Sequence, residues 1–492
     1  MTEPTPKSTP TPTPTSGPSP EAVARWLIAQ RWFVRQAGLG PSPGDGDDPD
    51  HPPGLELTTP VVLAEDPPVE LTTASTAAGH RYQLLRSGPK PTTRRSTTAG
   101  TAGAPAGTAP PDTAGDAAVA KVLTRICVDQ ATVTGPAATV VGHWLAGVSA
   151  PGRRLPRPLG VDQTNTSTVV GGTHVLKVLR RLAPGIHPEV EVGIHLHHQA
   201  ATSTRRIPVA PLAGWYELTD DAGGVTVAGT VHRLVTGALD GWGMVLSGLV
   251  ADASGVLDPL HRLGSDIADL HRFLARPGDE TDSFGSVATT SDDIDRTIVG
   301  VTEDLARLDA VVGPHLVTRT DRVLAALAHR LAAVDRGRSI RIHGDLHLGQ
   351  TVVGPDGWVI LDFEGEPSRP LVERRRRHPA LRDLAGLVRS LSYAVETVRR
   401  SGGAQTPGWE AAARAALLDG YLAAADRSLL PPSSATTVDL LSLHEIEKAV
   451  YEIGYEMAHR PDWVEVPTAG LVTVLDRLDR RLVGPGAGAH QR

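Results

Sequence analysis

The chain has 492 residues, 40% of them hydrophobic, and a formal net charge of −7. That length predicts roughly two to four domains or subdomains at about 150 residues each, and the negative balance excludes a chain-wide nucleic-acid footprint. Its one cysteine, Cys127, excludes an intramolecular disulfide and argues against a cysteine-built zinc site. It reads as a small buried hydrophobe in a reducing compartment.

Residues 1–20 are rich in Pro, Thr and Ser and are expected to be disordered. They lack the apolar core of a secretory signal, and no run of about 18 apolar residues follows to span a membrane, so a cytoplasmic location is expected. EAVARWLIAQRWF, opening at Glu21, carries apolar residues at helical spacing. The stretch 38–54 is a loop by composition, 55–64 and 80–86 read as strands, and a low-complexity insertion runs to about residue 115. Residues 157–180 read as strand, tight turn at Gly171-Gly172, and strand. A helix is expected over 187–199 and a strand over 230–235. From Asp240 onward the pattern is helical, with amphipathic stretches at 255–276, 298–313 and 318–335. Three more helices follow a hairpin, IRIHGDLHLGQTVVGPDGWVILDFE (340–364). The expected division is a tail (1–20), a cap domain with low-complexity insertions (21–135), a strand-rich lobe (136–235), a helical lobe carrying the hairpin (236–485) and a second tail (486–492). A cleft is expected between the lobes.

The hairpin places Asp345 and Asp362 at opposite ends of one turn-linked pair of strands. A hairpin returns its far end to its start, so both acids reach one edge of the cleft. Two such acids suit phosphoryl transfer: one accepts the proton of an attacking hydroxyl, the other holds Mg²⁺ against nucleotide phosphates. Gln350 stands five residues after Asp345, where protein kinases carry a metal-binding Asn. Arg greatly outnumbers Lys in this chain, whose lysines are Lys7, Lys90, Lys121, Lys177 and Lys448. Lys177 therefore draws notice in the strand HVLKVL, where a phosphate-holding lysine belongs. Glu189 and Glu191 on the next helix are alternative partners for it. QTNTS (Gln163, Asn165, Thr166, Ser167) offers hydroxyls and amides at the preceding turn. No Walker A motif is present.

HGDLHLGQ, DFEGEP, ERRR and RDLAGLVRS, in that order, with LKVLRRLAPGIHPEVEV and AVYEIGYEMAHRPDW, resemble actinobacterial maltokinases over about residues 157–480. RWLIAQRWF resembles the start of their cap, although VRQAG follows where the family has a small residue, Gly and Lys. The resemblance implies an α+β, bilobal, protein-kinase-like (aminoglycoside phosphotransferase-like) fold with an N-terminal cap. It implies ATP and Mg²⁺ as cofactors, maltose as acceptor and maltose 1-phosphate as product, feeding α-glucan synthesis. Trehalose synthase is an implied partner. Asp345 would be the base, Gln350, Asp362 and Glu364 would bind metal, and Lys177 would hold phosphates with Glu191 beside it. His343, Tyr451, Glu452, Tyr455, Glu456, Arg460 and Trp463 would face the sugar. Another sugar or aminoglycoside kinase, such as a glucosamine kinase, and a non-catalytic scaffold are the alternatives.

Other residues read as structural. Asp383 caps its helix and braces the catalytic loop, Trp358 packs the hairpin, Arg374–Arg377 form a solvated loop, and His195, His197 and His198 lack metal-ligand spacing.

Overall fold

The computed structural model describes residues 20–28, 30, 55–88, 112–159, 165–278, 283–403 and 406–482. The expected tails, the 38–54 loop, most of the low-complexity insertion and Gln163 lie outside them. Three groupings organise the rest, two of them antiparallel sheets. The first is a five-stranded sheet in which Pro68–Thr76 pairs with Leu55–Leu57, Val61–Glu65 and Arg81–Ser87. Its last strand, Arg181–Leu182, arrives from far along the chain to pair with Arg81–Ser87. The helix Pro20–Ile28 covers it with Val23 and Leu27.

The second is a seven-stranded sheet, in spatial order Thr132–Thr134, Thr139–Trp144, Leu212–Thr219, Val225–Arg233, His174–Val178, Thr166–Gly171 and Arg154–Pro158. The expected boundary at 135 falls inside a hairpin of this sheet, because Thr132–Thr134 pairs with Thr139–Trp144. The helix Ala117–Val128 packs on the same sheet and buries Val119, Leu123 and Cys127. Burial pushes the Cys127 thiol up to about 12, so it is an inert apolar filler. Gln83 of the first sheet reaches between strands of the second: its amide nitrogen meets the carbonyls of Leu179 and Ala228, and its oxygen accepts from Tyr216 Oη at 3.1 Å.

The third is helical. Leu257–Leu274, Leu381–Arg400, Trp409–Ala424 and Ser434–His459 surround one large core. The stretch expected as a helix over 298–313 begins earlier, at Ser291, where Thr290 and Asp293 form a capping box. It breaks at Leu308 before the short turn Asp309–Val312. The hairpin strands Thr351–Gly354 and Gly357–Ile360 pair as expected, and Trp358 is buried with its indole N–H donating to Pro259 O at 2.8 Å. Gly386 lets its helix approach the loop after Asp345, since a Cβ there would stand 2.4 Å from Leu346 O. Strand-rich and helical halves thus form the two lobes of a kinase-like α+β fold. Among the described residues no helix is long and apolar enough to cross a membrane.

Candidate active site

Lys177 sits in the strand His174–Val178, paired to Thr230 and Ser167 on either side. Its buried ammonium meets three carboxylates: Glu189 at 3.2 Å, Glu364 at 2.6 Å, and Asp362. Burial alone would lower its pKa, but Asp362, Glu189 and Glu364 raise it well above the ordinary lysine value. Glu189 also lies 3.1 Å from His232 Nε2.

Glu189, and not Glu191, is the partner of Lys177. A step of two residues turns a helix by about 200°, so the two acids of Pro188–Ala201 leave on opposite sides. Glu191 instead pairs with Arg341 Nη1 at 2.5 Å and Arg375 Nη2 at 2.7 Å. Burial raises its carboxyl, but Arg375 and Arg341 bring it down to about 2.

The hairpin joins the two acids as its geometry requires. His343 Nδ1 accepts from the Asp345 amide at 3.3 Å, while Nε2 meets Leu361 O at 2.7 Å. Gln350 Nε2 donates to Asp362 Oδ2 at 3.0 Å. Gly344 takes φ 86° in the turn before Asp345, a region that favours glycine. Asp362 takes φ 67°, a strained setting for a residue with a Cβ. His343 is 2% exposed with both ring nitrogens used by the backbone. It positions the loop and does not face a sugar. Asp383 accepts from the amides of His343 at 2.8 Å and Gly344 at 2.9 Å, and lies 3.1 Å from His271 Nε2.

The sequence reading had given Lys448 no role at this site. From the helix Ser434–His459 its ammonium reaches Asp345 Oδ1 at 2.8 Å and Glu366 Oε1 at 3.0 Å, and lies 4.7 Å from the Tyr451 ring. The signal was its rarity: one of few lysines, in the stretch that carries the expected sugar residues. His347, half-buried beside Asp345, was also missed.

At the turn before the lysine strand, Asn165 and Thr166 are occupied within the protein. Asn165 Nδ2 donates to Glu364 Oε1 at 2.7 Å. Thr166 Oγ1 accepts from Arg180 Nε at 2.9 Å, and Arg180 in turn pairs with Asp112 at 2.8 Å. Along the helix Ser434–His459, Tyr451 meets Ser368 Oγ at 3.3 Å and Glu452 pairs with Arg389 at 3.0 Å. Glu456 accepts from Tyr393 Oη at 3.1 Å and pairs with Arg460 at 2.6 Å. Tyr455 is exposed and stacks on His459. The Arg460 guanidinium lies 5.2 Å from the Trp463 ring.

The carboxylates of Glu189, Asp362 and Glu364 place one oxygen each within 4.8 Å of one another. Three acids share Lys177, and Glu364 is left pushed up to about 7 by burial, with Lys177 opposing and Asp362 and Glu189 reinforcing. Such a surplus of hard oxygen donors, with the Gln350 amide beside it, fits Mg²⁺.

A strand lysine, a helix glutamate and a hairpin aspartate meet on a bilobal scaffold of kinase-like fold, with the Asp345 turn joined to them through His343. No family model matches the chain. The glucosamine kinase of Streptacidiphilus jiangxiensis is 28% identical over 341 residues, covering 65% of this chain and 73% of that one. The glucosamine kinase of Mycolicibacterium smegmatis is 26% identical over 341 residues, covering 66% and 80%. Among solved structures, a glucosamine kinase in complex with glucosamine, ADP and inorganic phosphate superposes with a TM-score of 0.59 at 22% identity, covering 92% of this chain and 99% of that one. A second crystal form of glucosamine kinase gives 0.58 at 23%, covering 87% and 95%.

Proposed function

We propose that the protein is an ATP-dependent sugar kinase. The observation that carries this reading is the single hairpin that ties Asp345 to the Lys177–Glu189–Asp362–Glu364 cluster through His343 and Leu361. Asp345 accepts the proton of the acceptor hydroxyl as it attacks the γ-phosphorus, and the ADP leaving group departs on the opposite side. Lys177 faces the nucleotide phosphates and offsets their charge. Asp362 and Glu364, with the Gln350 amide, would hold Mg²⁺, which supplies charge neutralisation at the phosphates. Lys448 keeps Asp345 ionised, and Tyr451 and Tyr455 offer ring faces to a pyranose.

The named relatives support an amino sugar, glucosamine, as the first acceptor to test. Maltose, giving maltose 1-phosphate for α-glucan synthesis, is the second reading. One observation favours it: the acids near the acceptor helix already have cations. Asp345 and Glu366 share Lys448, Glu452 has Arg389, and Glu456 has Arg460. A wall balanced in this way suits an uncharged polyhydroxyl better than an ammonium group.

The test is ATP consumption with Mg²⁺ across glucosamine, maltose, glucose, trehalose and an aminoglycoside, with NMR of any product. Turnover of glucosamine alone selects the first reading, and turnover of maltose with phosphate on C1 selects the second. Silence across the panel, together with no calorimetric binding of Mg-ADP, removes the kinase reading.

A further inference from the structure

We infer that Glu191 is a permanent clamp that fastens the helix Pro188–Ala201 to the catalytic half of the protein. It thereby holds Glu189 and Lys177 in working position without modification of the chain. The inference rests on the phosphotransferase reading for its kinetic consequence, but its structural content stands on the contacts themselves.

Glu189 and Glu191 leave one helix on opposite sides. Glu189 reaches the lysine strand, and Glu191 reaches away from it to two arginines of the helical half. Arg341 is 1% exposed and lies on the segment leading into the catalytic turn, four residues before Asp345. Its Nη1 meets Glu191 Oε2 at 2.5 Å, and its guanidinium lies 5.5 Å from the Phe284 ring. Arg375 follows the short helix Leu371–Arg374. It grips Glu191 with two nitrogens, Nη2 to Oε1 at 2.7 Å and Nε to Oε2 at 3.0 Å. This two-point geometry fixes orientation as well as distance. The neighbouring Arg374 Nη1 donates to Glu364 O at 3.2 Å. One carboxylate therefore binds three parts together: the helix that carries Glu189, the segment leading into the Asp345 turn, and the segment after Asp362 and Glu364.

In kinases switched by phosphorylation, the segment after the metal-binding aspartate becomes ordered when an added phosphate meets arginines. Here a carboxylate of the chain already meets the segment's arginine. The helix is fixed from the moment of folding, and the lysine–glutamate pair needs no signal to form.

The test uses the full chain. Arg375 is 24% exposed along its side chain, so Arg375→Ala removes one arm of the clamp at the surface. Glu191→Gln removes the charge at constant shape. Both are compared with wild type by hydrogen–deuterium exchange and by steady-state kinetics. The expected result is exchange in 188–201 faster by about fivefold or more, with the seven-stranded sheet unchanged. With it, kcat falls and KM for ATP rises, to a combined loss of about 10-fold in kcat/KM for ATP, while KM for the sugar is unchanged. Arg375→Lys, a single point charge, falls between. Unchanged exchange in 188–201, exchange that rises equally across the whole sheet, or equal changes in both KM values overturns the clamp. If the wild-type chain turns over no acceptor, the kinase reading fails by that result, and the exchange data still decide the clamp.

Discussion

The ammonium of Lys448 bridges Asp345 and Glu366, 2.8 Å from one and 3.0 Å from the other. Burial would raise the Asp345 carboxyl, but Lys448, His347 and His343 reverse this and hold it at about 2. Lys448→Met removes the largest of those opposing charges, so the Asp345 pKa rises. The expected outcome is a kcat–pH profile whose acid limb moves to higher pH, with a greater loss at pH 6 than at pH 8. A profile of unchanged shape would detach Lys448 from the base.

Glu364 gives a second pH signature, of opposite sign. Its carboxyl is pushed up to about 7, so near neutrality it is only partly ionised in the nucleotide-free protein. A divalent cation selects the carboxylate form. Binding of Mg-ADP at pH 6.5 is therefore expected to release protons, seen as a buffer-dependent calorimetric enthalpy. Glu364→Gln abolishes that dependence. A raised folded pKa stabilises the fold at low pH and loses that contribution as pH rises through 7. The same variant is thus expected to raise Tm at pH 8 and to leave it unchanged below about pH 4, under the ordinary carboxyl value.

Asp383 holds two amides of the catalytic turn and His271, fully buried. Asp383→Ala leaves those donors without a partner, at about 3 kcal/mol. Thermal unfolding should show a Tm lower by several degrees, and kcat should fall in protein that remains folded. A variant as stable as wild type would mean that the turn is held by other contacts.

Arg180 links Asp112 to Thr166 and, through the Asn165 side chain that its own amide meets, to Glu364. Arg180→Met leaves the backbone amide on Asn165 but removes the side-chain contacts to Thr166 and Asp112, and the loosened turn is expected to weaken Mg-ADP binding by about 10-fold, with the acceptor KM unaffected. Calorimetry with Mg-ADP measures it directly, and unchanged affinity would make Arg180 a purely structural contact.

Much of this site could be read from residue order. HGD, Gln350, DFE and a strand lysine fall on one hairpin and one strand, and local geometry alone brings them to one edge. What escaped the sequence depends on direction. The choice between Glu189 and Glu191 rests on helix phase, and both positions are buried, so burial could not separate them. His343 sits in a motif that suggests substrate contact, but its ring is consumed by Leu361 O and the Asp345 amide. Lys448 approaches Asp345 from 103 residues away, a distance no local pattern bridges. The helix Ala117–Val128 was legible in principle, since Val119, Leu123 and Ile126 repeat at helical spacing. It was hidden by the low-complexity stretch before it. The capping box at Thr290 was equally readable and would have placed that helix start at Ser291.

The strand Arg181–Leu182 closes a sheet whose other strands were all made before residue 88. During synthesis the Arg81–Gln83 end of that edge must wait, unpaired, while nearly a hundred further residues emerge; the Leu85–Ser87 end is met earlier, by Asp112 and Thr113. At typical elongation rates the delay is about 5–20 seconds. Gln83 has no place to go until its partners Leu179 and Ala228 have emerged, the second of them later still. The first sheet and the lysine strand therefore mature together as one cooperative unit. A shortened chain that ends before residue 182 leaves the edge bare, an invitation to pairing with another copy.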